Sequence, residues 1–277
     1  MTIDKRPIGV FDSGIGGLTV VRELRKQLPN ESIIYFGDTA RVPYGNKSPE
    51  MVTRYAKEAT YILLQYDIKA FVVACNTASA HAIDVLKEHF SIPIYGVIQP
   101  GVERALGVTK NKKILVIGTS GTIRSNAYQR RLKKNGNGLD VFQKACPLFV
   151  PLVEEGWLNN DITRSIIAEY LDPYKAQDID TVILGCTHYP ILKSAIKEFW
   201  PTAELVDSGV ETARNLKRDL DNNFIKSDDS VGNCKFFVSD IAENFLEIGQ
   251  MFLGTKMEHF EVLDVENFLI ENKQLFE

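Results

Sequence analysis
The chain alternates short, wholly apolar runs with stretches whose apolar residues recur every three or four positions. Ile8–Phe11, Ser32–Phe36, Phe71–Ala74, Lys112–Gly118 and the run opening at Thr181 are short and rich in β-branched and aromatic residues. They are predicted to be strands buried on both faces. Leu18, Val21, Leu24 and Leu28 fall at helical spacing, and Pro29 ends that run. Ser48-Pro49-Glu50 opens a second helix, reaching about Gln65: serine caps, proline takes the first turn and glutamate suits the positive end. Further expectations are a fourth strand over Ile92–Ile98, a helix over Pro100–Val108 and a basic helix running to Lys134. Val153–Trp157 reads as a loop and Ile162–Tyr170 as a helix. Beyond it come a helix over Ile191–Phe199, a strand over Ala203–Val206 and a helix over Glu211–Leu220, with Asp207-Ser208 as its cap. Lys235–Val238 reads as a strand and Ile241–Phe252 as an amphipathic helix; the stretch from Thr255 is a surface strand and short helix with no assigned chemistry. Strand–helix alternation of this kind predicts an α/β fold with mainly parallel sheets, whose ligands bind at the carboxyl ends of the strands.

Two of the apolar runs end in a cysteine followed by a hydroxyl residue and a helical segment: FVVACNTAS at Phe71–Ser79 and TVILGCTHYP at Thr181–Pro190. The strand–turn pairs Ile8–Phe11 with DSGIGG and Ile114–Ile117 with GTSGT are also alike. Both observations suggest two similar α/β halves, each presenting one thiol at a ligand-binding edge.

Composition narrows the class. The 277 residues are 44% hydrophobic and 25% charged, ordinary for a globular protein with ample core. The net charge of −4 does not call for a nucleic-acid partner. No apolar run approaches membrane-spanning length. Cys75, Cys146, Cys186 and Cys234 show no CxxC spacing, which disfavours a metal site or disulfide framework and favours free thiols.

Each candidate has a plainer reading. A cysteine closing a strand is commonly a small buried hydrophobe, and Cys146 and Cys234 are assigned that role. The glycine loop after Phe11 could hold an anion on its amides or simply allow tight packing, and Asp12 would repel a phosphate there. Asp12 could equally cap the following helix. His188 could be a core histidine, and Glu154 is one of two adjacent glutamates. His81, His89 and His259 are read as structural or surface residues.

Four blocks, GVFDSGIGGLTV (9–20), YFGDTARVPYG (35–45), VACNTASA (73–80) and LGCTHYP (184–190), together resemble the glutamate racemases. The resemblance implies two similar α/β domains related by pseudo-twofold symmetry with the active site in the cleft between them. The expected division is residues 1–98 plus 208–277, carrying Cys75, and 99–207, carrying Cys186. It implies a cofactor-independent isomerase with no metal, in which Cys75 deprotonates D-glutamate and Cys186 deprotonates L-glutamate. Racemisation removes an α-proton from one face and returns one to the other, so two opposed acid/base groups are needed. A thiol, with an ordinary pKa of about 8.5, suits that work. Asp12 is expected beside Cys75, and Glu154 with His188 beside Cys186. Ser13, Tyr44, Gly45, Asn76, Thr77 and Thr187, with Asp12 and His188, are expected to bind substrate. Pro43 shapes the loop, and Thr119 and Thr122 are further cleft candidates. The family also implies D-glutamate supply for peptidoglycan in a bacterial cytoplasm, a homodimer, and no membrane or obligatory nucleic-acid partner. The first strand begins by Ile8, from which no activation by UDP-N-acetylmuramoyl-L-alanine is expected. Alternatives are an aspartate or other amino-acid racemase of the superfamily and, less well matched, a cysteine hydrolase using Cys186 and His188. A single-thiol decarboxylase and a non-catalytic binding protein leave the second thiol unexplained.

Overall fold
In a computed structural model of the chain, residues 2–222, 225–227, 230–241, 245–257 and 260–275 are described; His259 lies outside them. Ile8–Asp12 (β1), Ile33–Gly37 (β2), Ala70–Val73 (β3) and Ile94–Gly96 (β4) pair in the order β2-β1-β3-β4. Lys113–Gly118 (β5), Asp140–Ala145 (β6), Thr181–Gly185 (β7) and Glu204–Asp207 (β8) form a second sheet in the order β6-β5-β7-β8. Every pairing is parallel. Both sheets therefore wind second, first, third, fourth, and each thiol follows the third strand of its sheet. Cys234–Val238 (β9) and Glu261–Val262 (β10) extend the first sheet beyond β2, again in parallel. Thr2–Ile3 pairs separately with Ile225–Lys226.

The strands that carry the thiols are buried at every position, as are β1 and β2. This is why they read as unbroken apolar runs: helices cover both faces, so no alternate position is left for a polar residue. Phe11 stacks between Phe36 and Phe71 on one face of the first sheet. On the other face the apolar core continues from Val10 and Val20 to Leu115, Phe149 and Leu184 of the second sheet's layer. The helix Ser208–Asn222 packs against both Leu18–Gln27 and Ile98–Val108, tying the halves together. Asp207 caps it as expected, accepting from the Gly209 and Val210 amides at 3.0 and 3.3 Å.

Several boundaries differ from those expected. The strand read over Ile92–Ile98 is only Ile94–Gly96, and Ile98 already belongs to the helix Ile98–Val108. The loop read at Val153–Trp157 begins instead as the end of a helix, Phe149–Glu154, which Gly156 terminates with φ +69°. The reason is the same in both places. Pro100 and Pro151 occupy the first helical turn, whose N–H groups have no intrahelical acceptor, so a proline there costs no hydrogen bond. The basic helix ending near Lys134 is two helices, Ser120–Arg124 and Ala127–Asn135, separated where Asn126 turns left-handed at φ 54°. The Ile162–Tyr170 helix is longer, Asp161–Lys175, and passes through Pro173. Of the helix expected over Ile241–Phe252, Phe245–Leu253 is described and 242–244 lie outside the described residues.

Candidate active site
The carboxyl edges of the two sheets enclose a cavity of about 310 Å³ lined by Ser13, Tyr44, Gly45, Cys75, Asn76, Thr77, Glu154, Cys186, Thr187 and His188, among others. These are all the expected site residues except Asp12, which lies buried behind the lining; the two thiols with Asn76, Thr77, Thr187 and His188 follow directly on strand ends, whereas Tyr44, Gly45 and Glu154 come from farther along their connections. Both thiols are buried but reach the cavity. Thr119 also lines it, whereas Thr122 stands one layer back.

Cys75 occupies the N-cap of the short helix Asn76–His81, with its sulfur 3.4 Å from the Ala78 amide. The Ser13 hydroxyl hydrogen-bonds the same thiol. Burial, reinforced by the negative charge of Asp12, nevertheless pushes the Cys75 thiol up to about 12. Asp12 is itself buried; burial raises its carboxyl, opposed by the charge of His188 and by backbone amides. One carboxylate oxygen accepts from the Gly14 amide at 3.0 Å, and the other, Oδ1, is buried without a partner. Asp12 thus closes its own glycine loop, and that loop is not arranged around an external anion.

The Cys186 side has a different construction. His188 Nδ1 lies 3.9 Å from Cys186 Sγ, and its Nε2 lies 2.8 Å from Glu154 Oε1. Burial opposes the charged imidazole, yet the hydrogen bonds and charges of Cys186 and Glu154 outweigh it and lift His188 to about 10. Glu154 reaches this position from the end of the helix Phe149–Glu154.

Glycine at position 16 brings the first half against this histidine. A Cβ there would fall 2.3 Å from Thr187 Oγ1 and 2.5 Å from His188 Nδ1. The Thr19 hydroxyl, one turn later, is 2.9 Å from the Thr187 carbonyl oxygen. The glycine-rich loop therefore serves close approach between the halves.

Hydrogen-bond partners sort the expected binding residues. Tyr44 is buried, and its hydroxyl donates to Asp38. Arg41 holds the same carboxylate at 2.7 Å and also reaches Glu58. The Tyr44–Gly45 segment consequently offers the cavity its backbone more than the tyrosine hydroxyl. Thr77, Thr119 and Thr122 form a triangle of hydroxyls with oxygen separations of 2.9, 3.2 and 3.0 Å, joining the two halves at the cavity wall.

One residue at the site carried no local sequence signal. Tyr128, on the basic helix after Asn126, is buried and donates its hydroxyl to Asn76 Oδ1 at 2.7 Å. With Oδ1 occupied, Asn76 presents its NH₂ donors to the remaining space. Val150 and Pro151 complete the lining from the helix misread as a loop. Among the described residues no group of three or more His, Cys, Asp or Glu could hold a metal ion.

A family model described as Asp/Glu/Hydantoin racemase matches residues 8–216. The chain belongs to this racemase family. Relatives agree over nearly its whole length. A glutamate racemase of Sulfurihydrogenibium sp. (strain YO3AOP1) is 49% identical over 261 residues, covering 94% of this chain and 98% of that protein. One of Geobacter metallireducens is 50% identical over 254 residues, covering 91% and 94%. In three dimensions the Francisella tularensis glutamate racemase, solved in complex with D-glutamate, superposes with TM-score 0.90 at 39% identity, covering 96% of this chain and all of that one. An aspartate racemase homologue from Pyrococcus horikoshii OT3, at 20% identity and TM-score 0.59, shares the fold.

Proposed function
We propose that this racemase-family protein interconverts L- and D-glutamate, with Cys75 and Cys186 as the two opposed acid/base groups. The observation that carries the reading is that two buried thiols, each after the third strand of its sheet, line one cavity. In the L-to-D direction, Cys186 as thiolate takes the α-proton while Cys75 as thiol delivers one to the opposite face; the reverse direction exchanges these roles. Asp12 and the Glu154–His188 pair are the proton-handling neighbours of their respective thiols. The NH₂ group of Asn76, the hydroxyls of Ser13, Thr77 and Thr187 and the backbone near Gly45 are the donors for the substrate's carboxylates. Such fixed donors stabilise the negative charge that develops when the α-proton leaves. The proposed domains are 1–98 with 208–277 and 99–207. A homodimer in a bacterial cytoplasm, supplying D-glutamate for peptidoglycan, belongs to the same reading. Among the described residues no helix is long and apolar enough to cross a membrane.

The test follows L-glutamate in deuterated water by optical rotation and proton NMR. Wild-type protein is expected to lose rotation as deuterium enters the α-position, with racemisation in Cys75→Ser and Cys186→Ser reduced by at least about 10²-fold, the lower range for a lost acid/base group. Exchange with aspartate and none with glutamate would reject the substrate. Retained racemisation in Cys75→Ser would reject the two-thiol mechanism and favour chemistry by Cys186 and His188 alone.

A further inference from the structure
Beside Gly45, and sharing no lining residue with the substrate cavity, lies a second cavity of about 240 Å³. Its polar lining carries three cations, Lys47 from the first half and Arg124 and Arg130 from the second, beside His81 and Ser125. Among the described residues no carboxylate lines it. Glu50, the acid that acts on His81, is exposed and outside the lining. Among the described residues Lys47, Arg124 and Arg130 form no ion pair. Arg124 donates to the Gly45 carbonyl oxygen at 3.2 Å, Arg130 to the Ser125 carbonyl, and Lys47 lies 5.8 Å from the Tyr55 ring centre. Burial, and then the neighbouring Arg124 and Arg130, hold His81 below its usual range despite a hydrogen bond to Gly121 and the pull of Glu50. Three unneutralised cations around one small cavity repel each other, in a chain with 36 acidic against 32 basic residues.

We infer that this cavity is a second binding site, taking a phosphoryl group that bridges the two halves of the molecule. Two guanidinium groups suit a tetrahedral oxyanion because each can donate in parallel to two of its oxygens, and lysine adds a point charge. Three positive charges, those of Arg124 and Arg130 on exposed side chains, match a multiply charged phosphoryl group better than the single negative charge of a carboxylate. Occupancy would join Lys47 and His81 to Arg124 and Arg130 immediately behind Gly45, whose other side lines the substrate cavity. This inference does not depend on the racemase reading, because its readout is binding and not turnover.

The experiment is calorimetric titration of the full chain with inorganic phosphate, pyrophosphate and glycerol phosphate. Lys47→Gln, Arg130→Gln and the double variant are run in parallel and checked for native melting. Saturable binding to wild type is expected, weakened about 10- to 100-fold for each cation removed, the range for a hydrogen bond to a charged group. Tighter binding of glycerol phosphate than of phosphate would identify the source as an organic phosphoester, and the reverse as the free ion. Absence of saturable binding by all three, or binding unchanged in the double variant, overturns the assignment. A second readout needs no variant of the cations: the His81 imidazole titration, followed by proton NMR and identified with His81→Asn, should move to higher pH with ligand. No movement at saturation also overturns it.

Discussion
At the residue scale, the two thiols have different surroundings although their strands and turns match. Cys75 has a carboxylate neighbour, a serine hydroxyl and a helix amide, whereas Cys186 has a histidine held by a carboxylate. Because Asp12 adds negative charge beside Cys75, Asp12→Asn should lower the Cys75 thiol from about 12. It should stay above the ordinary thiol range, since burial is the larger cause and the substitution leaves burial in place. The pH profile of Cys75 alkylation, measured in a Cys186→Ser background, reports this; an unchanged or upward-shifted profile would contradict the assigned coupling. Tyr128 makes the other prediction at this scale. Tyr128→Phe leaves the packing but frees the Asn76 amide to rotate. KM for glutamate should rise about 3- to 10-fold, the worth of one neutral hydrogen bond, with kcat changing less. An equal fall in kcat without a change in KM would show that Tyr128 does not act through substrate binding.

At the scale of elements, the site depends on how closely a loop from one sheet approaches a strand end of the other. Gly16 is the tightest point of that approach, within 2.6 Å of three side-chain atoms once a Cβ is added. Gly16→Ala should therefore push His188 away from Cys186. A stability loss of about 1–3 kcal/mol is expected from overpacking, with activity falling about 10²-fold because a misplacement of 1 Å suffices for that. Urea denaturation together with racemase assays separates the two effects. Activity near wild type would mean that the His188 position is not needed. The proline-bearing helices teach a related lesson at this scale. The sequence puts Pro100 at the start of its helix, whereas the fold sets it in the first turn of a helix that begins at Ile98, and Pro151 likewise lies in the first turn of Phe149–Glu154; a first-turn proline is compatible with a helix, and only the fold shows which position in that turn it takes.

At the scale of the whole molecule, one buried ion pair secures the edge far from the chemistry. Lys69 Nζ lies 2.6 Å from Glu31 Oε2, both side chains almost wholly buried, and also donates to the Asp4 carbonyl oxygen at 2.7 Å. Lys69→Met would strand the Glu31 carboxylate, at a cost of about 3–5 kcal/mol. The double variant Glu31→Gln/Lys69→Met should recover part of that loss. Equilibrium unfolding in urea measures both, and a loss within 1 kcal/mol in the single variant would show the pair to be dispensable.

The sequence by itself determined the alternation of strand and helix, the likeness of the two halves and the two thiols. These are local matters: an apolar run buried on both faces, helical spacing and a cysteine at a strand's end are visible within about ten residues. It also held the four blocks of family resemblance. Tertiary structure alone decided that both sheet edges face one cavity and that the Tyr44 hydroxyl is committed to Asp38. It also joined Tyr128 to Asn76, 52 positions away, and placed Glu154 on a helix that reaches His188. Asn76 with Tyr128 and Glu154 with His188 are far apart in the chain, so no short window of sequence contains both partners, and Asp38 and Tyr44, six positions apart, meet only because of how the turn between them folds. Packing sets their distance, and that distance sets the charge and hydrogen bonding each group experiences.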